Sequence, residues 1–230
     1  MGNKVNPNLF RFGVNRDWTS RWFPFPHRQV IGQLKEELAI RAMIKNKLRR
    51  AMISGIEFER SGSALKIIIF TARPGVLIGR GGGGIEEMRK DIVAIFYNKN
   101  KKAAPRDLKL EVQEVRNPDA HAALIAQSIA EQLEKRMPFR GVLKRTLERA
   151  RGAPGIAGVK LEIAGRLGGS EMSRREWSLR GKIPLHTLRS NIDFAQDTAR
   201  TTWGAIGVKV WLYKGEVFDE KTIRESNPDK

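Results

Sequence analysis

The sequence predicts an α+β protein of two units, and three observations predict it. Apolar residues recur at helical spacing in some stretches and alternate in others, so both periods are present. Apolar residues make up 40% of the 230 residues, enough to build cores and too many for a disordered chain. A break at Asn117-Pro118 then separates two sets of elements. The first is ordered helix, strand, strand, short helix, helix, strand. In the second, two helices precede strands, as expected of helices packed on a mostly antiparallel sheet.

Residues 1–28 are rich in Pro, Asn and Arg and show little periodicity. They read as a basic extended arm that orders on RNA through Lys4, Arg11, Arg16 and Arg21, the alternative being a frayed terminus. Trp18, Trp22 and Phe23 argue against simple disorder, because they need something to pack on. From about Val30 to Met52 the spacing of Ile31, Leu34, Leu38, Met43, Ile44, Leu48 and Met52 predicts a helix. Lys45, Lys47, Arg49 and Arg50 crowd its end, a placement the helix dipole favours in any protein.

Ile56 and Phe58 alternate with Glu57 and Glu59, and LKIIIF at 65–70 follows the turn signal Ser61-Gly62-Ser63, so two strands are expected. Pro74-Gly75 breaks the chain, and a short apolar turn leads into a run of glycines. Ile85, Met88, Ile92, Ile95 and Phe96 predict a helix over 85–97; a Lys-rich loop, NKNKKAAPRD, then precedes a strand at 108–115.

In the second unit, Ala122, Ile125, Ala126, Ile129, Ala130 and Leu133 share one face of a helix predicted over 119–136. Pro138 punctuates it, and a basic helix is expected at 139–151. Strands follow at 159–163, 188–194 and 204–213, with GRLGGSEMSRREW between the first two as a glycine- and charge-rich segment. Beyond Lys214 the chain turns polar and reads as a tail over 214–230.

Lys plus Arg number 43 against 25 Asp plus Glu, a formal charge of +18. Such an excess makes sense where a polyanion neutralises it, and nucleic acid leads that class. Anionic membrane comes second, but no apolar run reaches the ~18 residues of a spanning helix. The absence of cysteine excludes disulfides, cysteine-based zinc sites and thiol catalysis. His27, His121 and His186 are scattered, none has a second histidine four residues on, and no serine sits in G-x-S-x-G. No catalytic set, metal site or cofactor is therefore expected. MGNKVNPNLF lacks an apolar signal core and reads as an unprocessed cytosolic start.

The run LIGRGGGGI at 77–85 carries the most chemistry. Gly79, Gly81 and Gly84 spell G-x-G-x-x-G, but a dinucleotide loop needs a strand directly before the glycines and an acidic residue about 20 residues on. Here an apolar turn precedes them and the later region is basic. A linker is disfavoured by the apolar residues on both sides. Gly79-Arg80-Gly81-Gly82 instead forms a G-x-x-G loop between two helices, the kind that clamps about four nucleotides of single-stranded backbone in KH domains. Glycine lets the sugar-phosphate chain approach closely, the following helix start offers N–H groups, and Arg80 adds a charge. The extra leading helix and strand make the first unit, 29–116, resemble a type II KH domain, α-β-β-α-α-β.

Further motifs narrow the resemblance. G-N-K-V-N-P-N-x-x-R-x-G at the start, T-A-R-P-G at 71–75, G-R-L-G-G-S-E at 165–171, R-E-W at 175–177, P-L-H-T-L-R at 184–189 and G-V-K-V-W at 207–211 resemble the bacterial-type small-subunit ribosomal protein S-three family, from residue 2 to about 216. Their role does not follow from spacing. The resemblance implies a component of the small-subunit head, with a KH domain and a C-terminal domain at 117–213 that contact small-subunit rRNA. It also implies neighbours of the S-ten and S-fourteen families, a lining role in the channel through which mRNA enters, and no homo-oligomer.

On the basic helix the family's channel positions map onto Arg140 and Lys144, with Arg136 and Arg145 nearby. Candidate rRNA contacts are Lys4, Arg11, Arg16, Arg166, Arg174, Arg175 and Arg189. A solvated charged face remains the alternative for the helix, and a free-standing KH factor binding single-stranded RNA the alternative for the whole. The chain departs from the family at Asn6, where His is usual, at Gly141, where a second Arg is usual, and at Gly83 and Gly84, where acidic residues are common.

Overall fold

A computed structural model describes residues 4–24, 28–62, 64–100 and 107–218. Most of the Lys-rich loop before the last strand of the first unit, and the predicted tail from residue 219, lie outside the described residues. The chain divides into two units, Trp18–Arg116 on one hand and Met1–Asp17 with Asn117–Lys230 on the other. The segment expected to be a separate arm is thus shared between them.

The first unit contains β1 (Ser20–Arg21), α2 (Arg28–Lys47), β2 (Ile53–Ser61), β3 (Ala64–Thr71), α3 (Pro74–Ile78), α4 (Gly83–Asn100) and β4 (Asp107–Glu114). The helix before them in the chain, α1 (Pro7–Phe10), belongs to the second unit. The first unit's sheet has the order β1-β2-β3-β4, with β2 and β3 antiparallel and β3 and β4 parallel. A parallel neighbour needs a crossover, and α3 and α4 provide it. From α2 onward the elements run α-β-β-α-α-β, the order expected from the sequence. Leu65, Ile67 and Ile69 of β3 point to one face at period two and bury against Ile40 and Ile44 of α2 and Met88, Ile92 and Phe96 of α4.

Helix α2 ends at Lys47, and a short 3-10 turn, Arg49–Ala51, completes the predicted stretch. Only its second half carries core residues: Ile31, Leu34 and Leu38, expected on the buried face, are exposed. Midway along α2 the side chains turned to the unit are carboxylates. Glu37 accepts from Ser20, Trp22 Nε1 (2.7 Å) and Arg41 (2.8 Å), and Glu36 pairs with Arg60 at 3.0 Å. Burial by itself raises the Glu37 pKa, but the hydrogen bonds from Ser20, Trp22 and Arg41 and the Arg41 charge bring it below the usual value. Trp22 thereby finds the packing its composition demanded, while Trp18 and Phe23 stay exposed.

Besides α1, the second unit contains α5 (Ala122–Glu134), α6 (Phe139–Gly152), β5 (Gly158–Gly165), β6 (Arg174–Gly181), β7 (Ser190–Thr201) and β8 (Gly204–Glu216). The sheet order is β6-β5-β8-β7, antiparallel throughout. Val159, Leu161 and Ile163 of β5 and Val208, Val210 and Leu212 of β8 form the face covered by α5 and α6. The two-helix, antiparallel-sheet expectation holds, with one element missed. Arg174–Gly181, read as a charged segment, is the edge strand β6. Most of its side chains are exposed on both faces, so no apolar alternation marks it.

Candidate nucleic-acid interface

The glycine loop is built by close approach. Helix α3 is capped at Gly79, whose N–H donates to the Gly75 carbonyl at 3.0 Å, and Gly79 then adopts φ 71°, ψ −176°, a region open essentially only to glycine. Gly81 and Gly82 also have positive φ, 62° and 83°. Gly84 has ordinary helical surroundings but no space: a Cβ there would lie 2.4 Å from the Leu77 carbonyl oxygen and 3.0 Å from that of Ile78. The departure at Gly84 is therefore tied to how tightly α4 starts against the end of α3. At Gly83, φ is −58° and a Cβ would meet nothing within 4 Å, so that glycine is not required by the backbone. Arg80 is exposed at the tip with no ion pair among the described residues. The turn presents the first N–H groups of α4, an 18-residue helix, beside that charge.

A second basic surface surrounds the turn from α5 to α6. The Arg136 N–H donates to the Leu133 carbonyl and the Met137 N–H to the Gln132 carbonyl, at 3.0 and 3.1 Å. That pair of bonds is the Schellman closure, and its left-handed position, usually glycine, is Arg136 at φ 59°. A non-glycine residue there costs about 1–2 kcal/mol. Pro138 precedes α6, and Val142, Leu143, Thr146, Leu147 and Ala150 bury its inner face. Arg140, Lys144 and Arg145 are exposed on the other side. Arg140 and Lys144, four apart, share a face as expected, and neither makes an ion pair among the described residues. Arg145 Nε bonds back to the Gly141 carbonyl at 3.3 Å.

The rRNA candidates separate by partner. Arg11 is corrected from RNA contact to structural brace. It is fully buried, and its guanidinium donates to the carbonyls of Ser190 (2.7 Å), Pro7 (3.0 Å), Leu185 (3.0 Å) and Thr187 (2.9 Å). Enclosed in this way, the side chain presents no N–H to an outside phosphate. Burial, then the neighbouring Arg16 charge, lowers its pKa, yet an arginine stays protonated. The start motif and P-L-H-T-L-R are thus two halves of one device: the first supplies the guanidinium, the second its carbonyl cup. Asn8 adds a matched pair with the Phe194 backbone, its amide donating at 2.8 Å and its oxygen accepting at 3.2 Å. Asn6 caps α1 by accepting from the Asn8 N–H.

Arg16 pairs with Asp193 at 2.9 Å, and the other Asp193 oxygen accepts the Ala122 N–H at 2.8 Å. This supplies the cap that His121 does not give α5. Burial works to raise the Asp193 pKa, but Arg16, Lys214 and the Ala122 N–H outweigh it and hold the carboxyl below its ordinary value. Arg166 donates to the carbonyls of Ser170 (3.0 Å) and Trp203 (3.2 Å), and Gly169 leaves room for the Trp203 ring, 3.2 Å from where its Cβ would be. The G-R-L-G-G motif is a clasp on the β7–β8 turn. Arg175 pairs with buried Glu162 and Arg189 with Glu216, both arginines keeping their outer sides in solvent. Arg21 pairs with Glu59 at 3.4 Å, and Lys4 is exposed.

Arg174 differs from these. It starts β6 beside α6 and packs on Phe139, its guanidinium carbon 5.4 Å from the ring centroid; that of Arg140 is 5.7 Å from the same centroid. Sequence reading left Phe139 out, since an aromatic at a helix start reads as packing. Lys160 was missed likewise: it lies 4.9 Å from the Trp211 ring and 5.7 Å from that of exposed Trp177, and burial is the main cause lowering its pKa. Among the described residues no group of His, Cys, Asp or Glu could hold a metal ion, and no helix is long and apolar enough to cross a membrane.

Comparison with known proteins finds two family models on the chain. The family model described as ribosomal protein S3, C-terminal domain, matches residues 129–212, and that of the KH domain matches residues 39–120. A small ribosomal subunit protein uS3 from Desulfitobacterium hafniense is 42% identical over 225 residues, 98% of each chain. One from Campylobacter jejuni (strain RM1221) is 44% identical over 235 residues, covering 100% of this chain and 96% of its own. One from Desulfovibrio desulfuricans is 45% identical over 221 residues, covering 96% and 99%.

Proposed function

Because the chain belongs to the ribosomal protein S3 family, we propose that it is a structural, non-enzymatic constituent of the small ribosomal subunit head. It binds small-subunit rRNA and lines the channel through which mRNA enters, in the cytoplasm. The observation that carries the channel role is the α5–α6 surface. Arg136 holds a left-handed position that glycine would fill at lower cost, and it stands beside Arg140 and Lys144, which have no carboxylate partners among the described residues. A strained, charged residue at a solvent-facing turn is what a ligand contact accounts for and packing does not.

The glycine loop supplies a second RNA contact, with Gly79, Gly81 and Gly82 shaping the backbone and Arg80 supplying charge. Exposed Lys4, Arg175 and Arg189 contribute to rRNA binding, and S-ten- and S-fourteen-type proteins are the neighbours. Any unwinding of message is passive, drawn from translocation, because the glycine run lacks the preceding strand and later acidic residue of a nucleotide loop. The free-standing KH factor is disfavoured by the match of the whole chain to small-subunit proteins.

Sedimentation tests the structural role. The protein should co-migrate with small subunits in high salt, and recovery mainly in light fractions would overturn the reading. For the channel, changing Arg140 and Lys144 together to Glu should slow reading of structured messages in assembled subunits. Normal reading by that double variant would remove the channel role.

A further inference from the structure

The contact between Arg174 and Phe139 joins two parts of the second unit that lie 35 positions apart in sequence. Arg174 opens the edge strand β6, and Phe139 is the first residue of α6. Phe139 is partly buried and packs against the core, which anchors its ring. Its exposed surface carries two guanidiniums, those of Arg140 and Arg174, each within 6 Å of the ring centroid. Neither arginine makes an ion pair among the described residues, whereas Arg175, the next residue along β6, is spent on Glu162. Two positive charges are thus held on one ring, with no carboxylate paired to them among the described residues.

Like charges placed this close repel, and the arrangement makes sense when an anion sits between or across them. Stacking on an aromatic face suits arginine, because the guanidinium is planar and weakly hydrated, and it leaves the N–H edges free to fork onto phosphate oxygens. The ring also removes rotamer freedom before a ligand arrives, so less is lost on binding. Position 141, next to Arg140, is glycine, so α6 itself places no second charge at this point.

We propose that Arg174 and Arg140, braced on Phe139, form one binding site for the phosphate backbone of single-stranded RNA, with Arg174 supplying from β6 a second charge beside that of Arg140 on α6. The inference rests on the reading of the α6 surface as an RNA contact. Arg174 thereby moves from a general rRNA candidate to a named partner of the channel helix.

The test is the salt dependence of binding of an unstructured oligouridylate to the full-length chain. Each phosphate contact on a single strand contributes about 0.7 to the slope of log affinity against log salt. Arg174→Gln should lower the slope by about 0.7, as should Arg140→Gln, and the pair by about twice that. Arg174 is exposed and makes no ion pair among the described residues, so its replacement should leave the fold intact. Phe139→Leu keeps apolar packing but removes the aromatic face, and in that background the effect of Arg174→Gln on affinity should shrink. An unchanged slope for Arg174→Gln, with Arg140→Gln reducing it, overturns the composite site and leaves the α6 reading standing. No change for either variant overturns both. Unchanged RNA binding with loss of a neighbouring protein from assembled subunits overturns the proposal in favour of a protein contact.

Discussion

Alanine placed at Gly83 and at Gly84 should move stability in opposite directions, although the two glycines are adjacent and both helical. At Gly83, φ is −58°, ψ is −31°, and a Cβ meets nothing within 4 Å. Alanine there restricts the unfolded chain without straining the folded one, a gain of about 0.4–1 kcal/mol. At Gly84 the same gain applies, but the Cβ would lie 2.4 Å from the Leu77 carbonyl oxygen. That contact is with backbone, so α3 and the start of α4 must move apart, and forcing atoms into filled space costs about 1–3 kcal/mol. The two variants should then differ by about 2 kcal/mol. In a unit of this size a kcal/mol moves the unfolding midpoint by about 4–8 °C. The assay is amide exchange of α4 in the full-length chain, with thermal unfolding alongside. Gly83→Ala should slow exchange and keep RNA affinity; Gly84→Ala should quicken it. Equal effects for the two would refute the steric reasoning and return the run to simple flexibility.

Arg11→Lys should cost the second unit about 3–5 kcal/mol, since an ammonium cannot reach four carbonyls and two or more charge-assisted bonds are lost; denaturant unfolding measures it, and the salt slope of RNA binding should not change. Asp193→Asn should cost about 1–3 kcal/mol at neutral pH through the lost Arg16 pair and weakened α5 cap. Because the folded Asp193 pKa is depressed, its contribution is full above the unfolded value of about 3.9 and fades as pH falls through the lower folded value. Wild type should therefore lose stability in that acid window by an increment the Asn variant lacks. Arg136→Gly should raise thermal stability by about 1 kcal/mol while lowering the salt slope for single-stranded RNA by about 0.7.

Legibility followed burial. The KH order was readable because Leu65, Ile67 and Ile69, and the helix residues that meet them, carry strong periods. The G-x-x-G loop was readable because glycine has few other reasons to cluster. Strand β6 was not, because an edge strand lined by Arg174, Arg175 and Arg180 has no face to alternate. The N-terminal segment was misread for a related reason. Arginine is a surface residue by habit, and nothing local shows that Arg11 meets carbonyls more than 170 positions away. Likewise, Phe139 and Arg174 are each ordinary in sequence and gain meaning only when β6 lies beside α6.

The arginines of this chain therefore cannot be read as one basic surface. Arg11 and Arg166 satisfy carbonyls and Arg16, Arg41 and Arg60 satisfy carboxylates, so these five hold the fold. Removing any of them should change stability first and RNA binding only through it. Arg80, Arg136, Arg140 and Arg174 sit on a loop tip, a strained helix closure, a helix start and a strand start, with no acidic residue paired to them among the described residues. Charge left unpaired among the described residues raises the energy of the free protein and is relieved by an external anion, so affinity and its salt dependence should be concentrated in this second set.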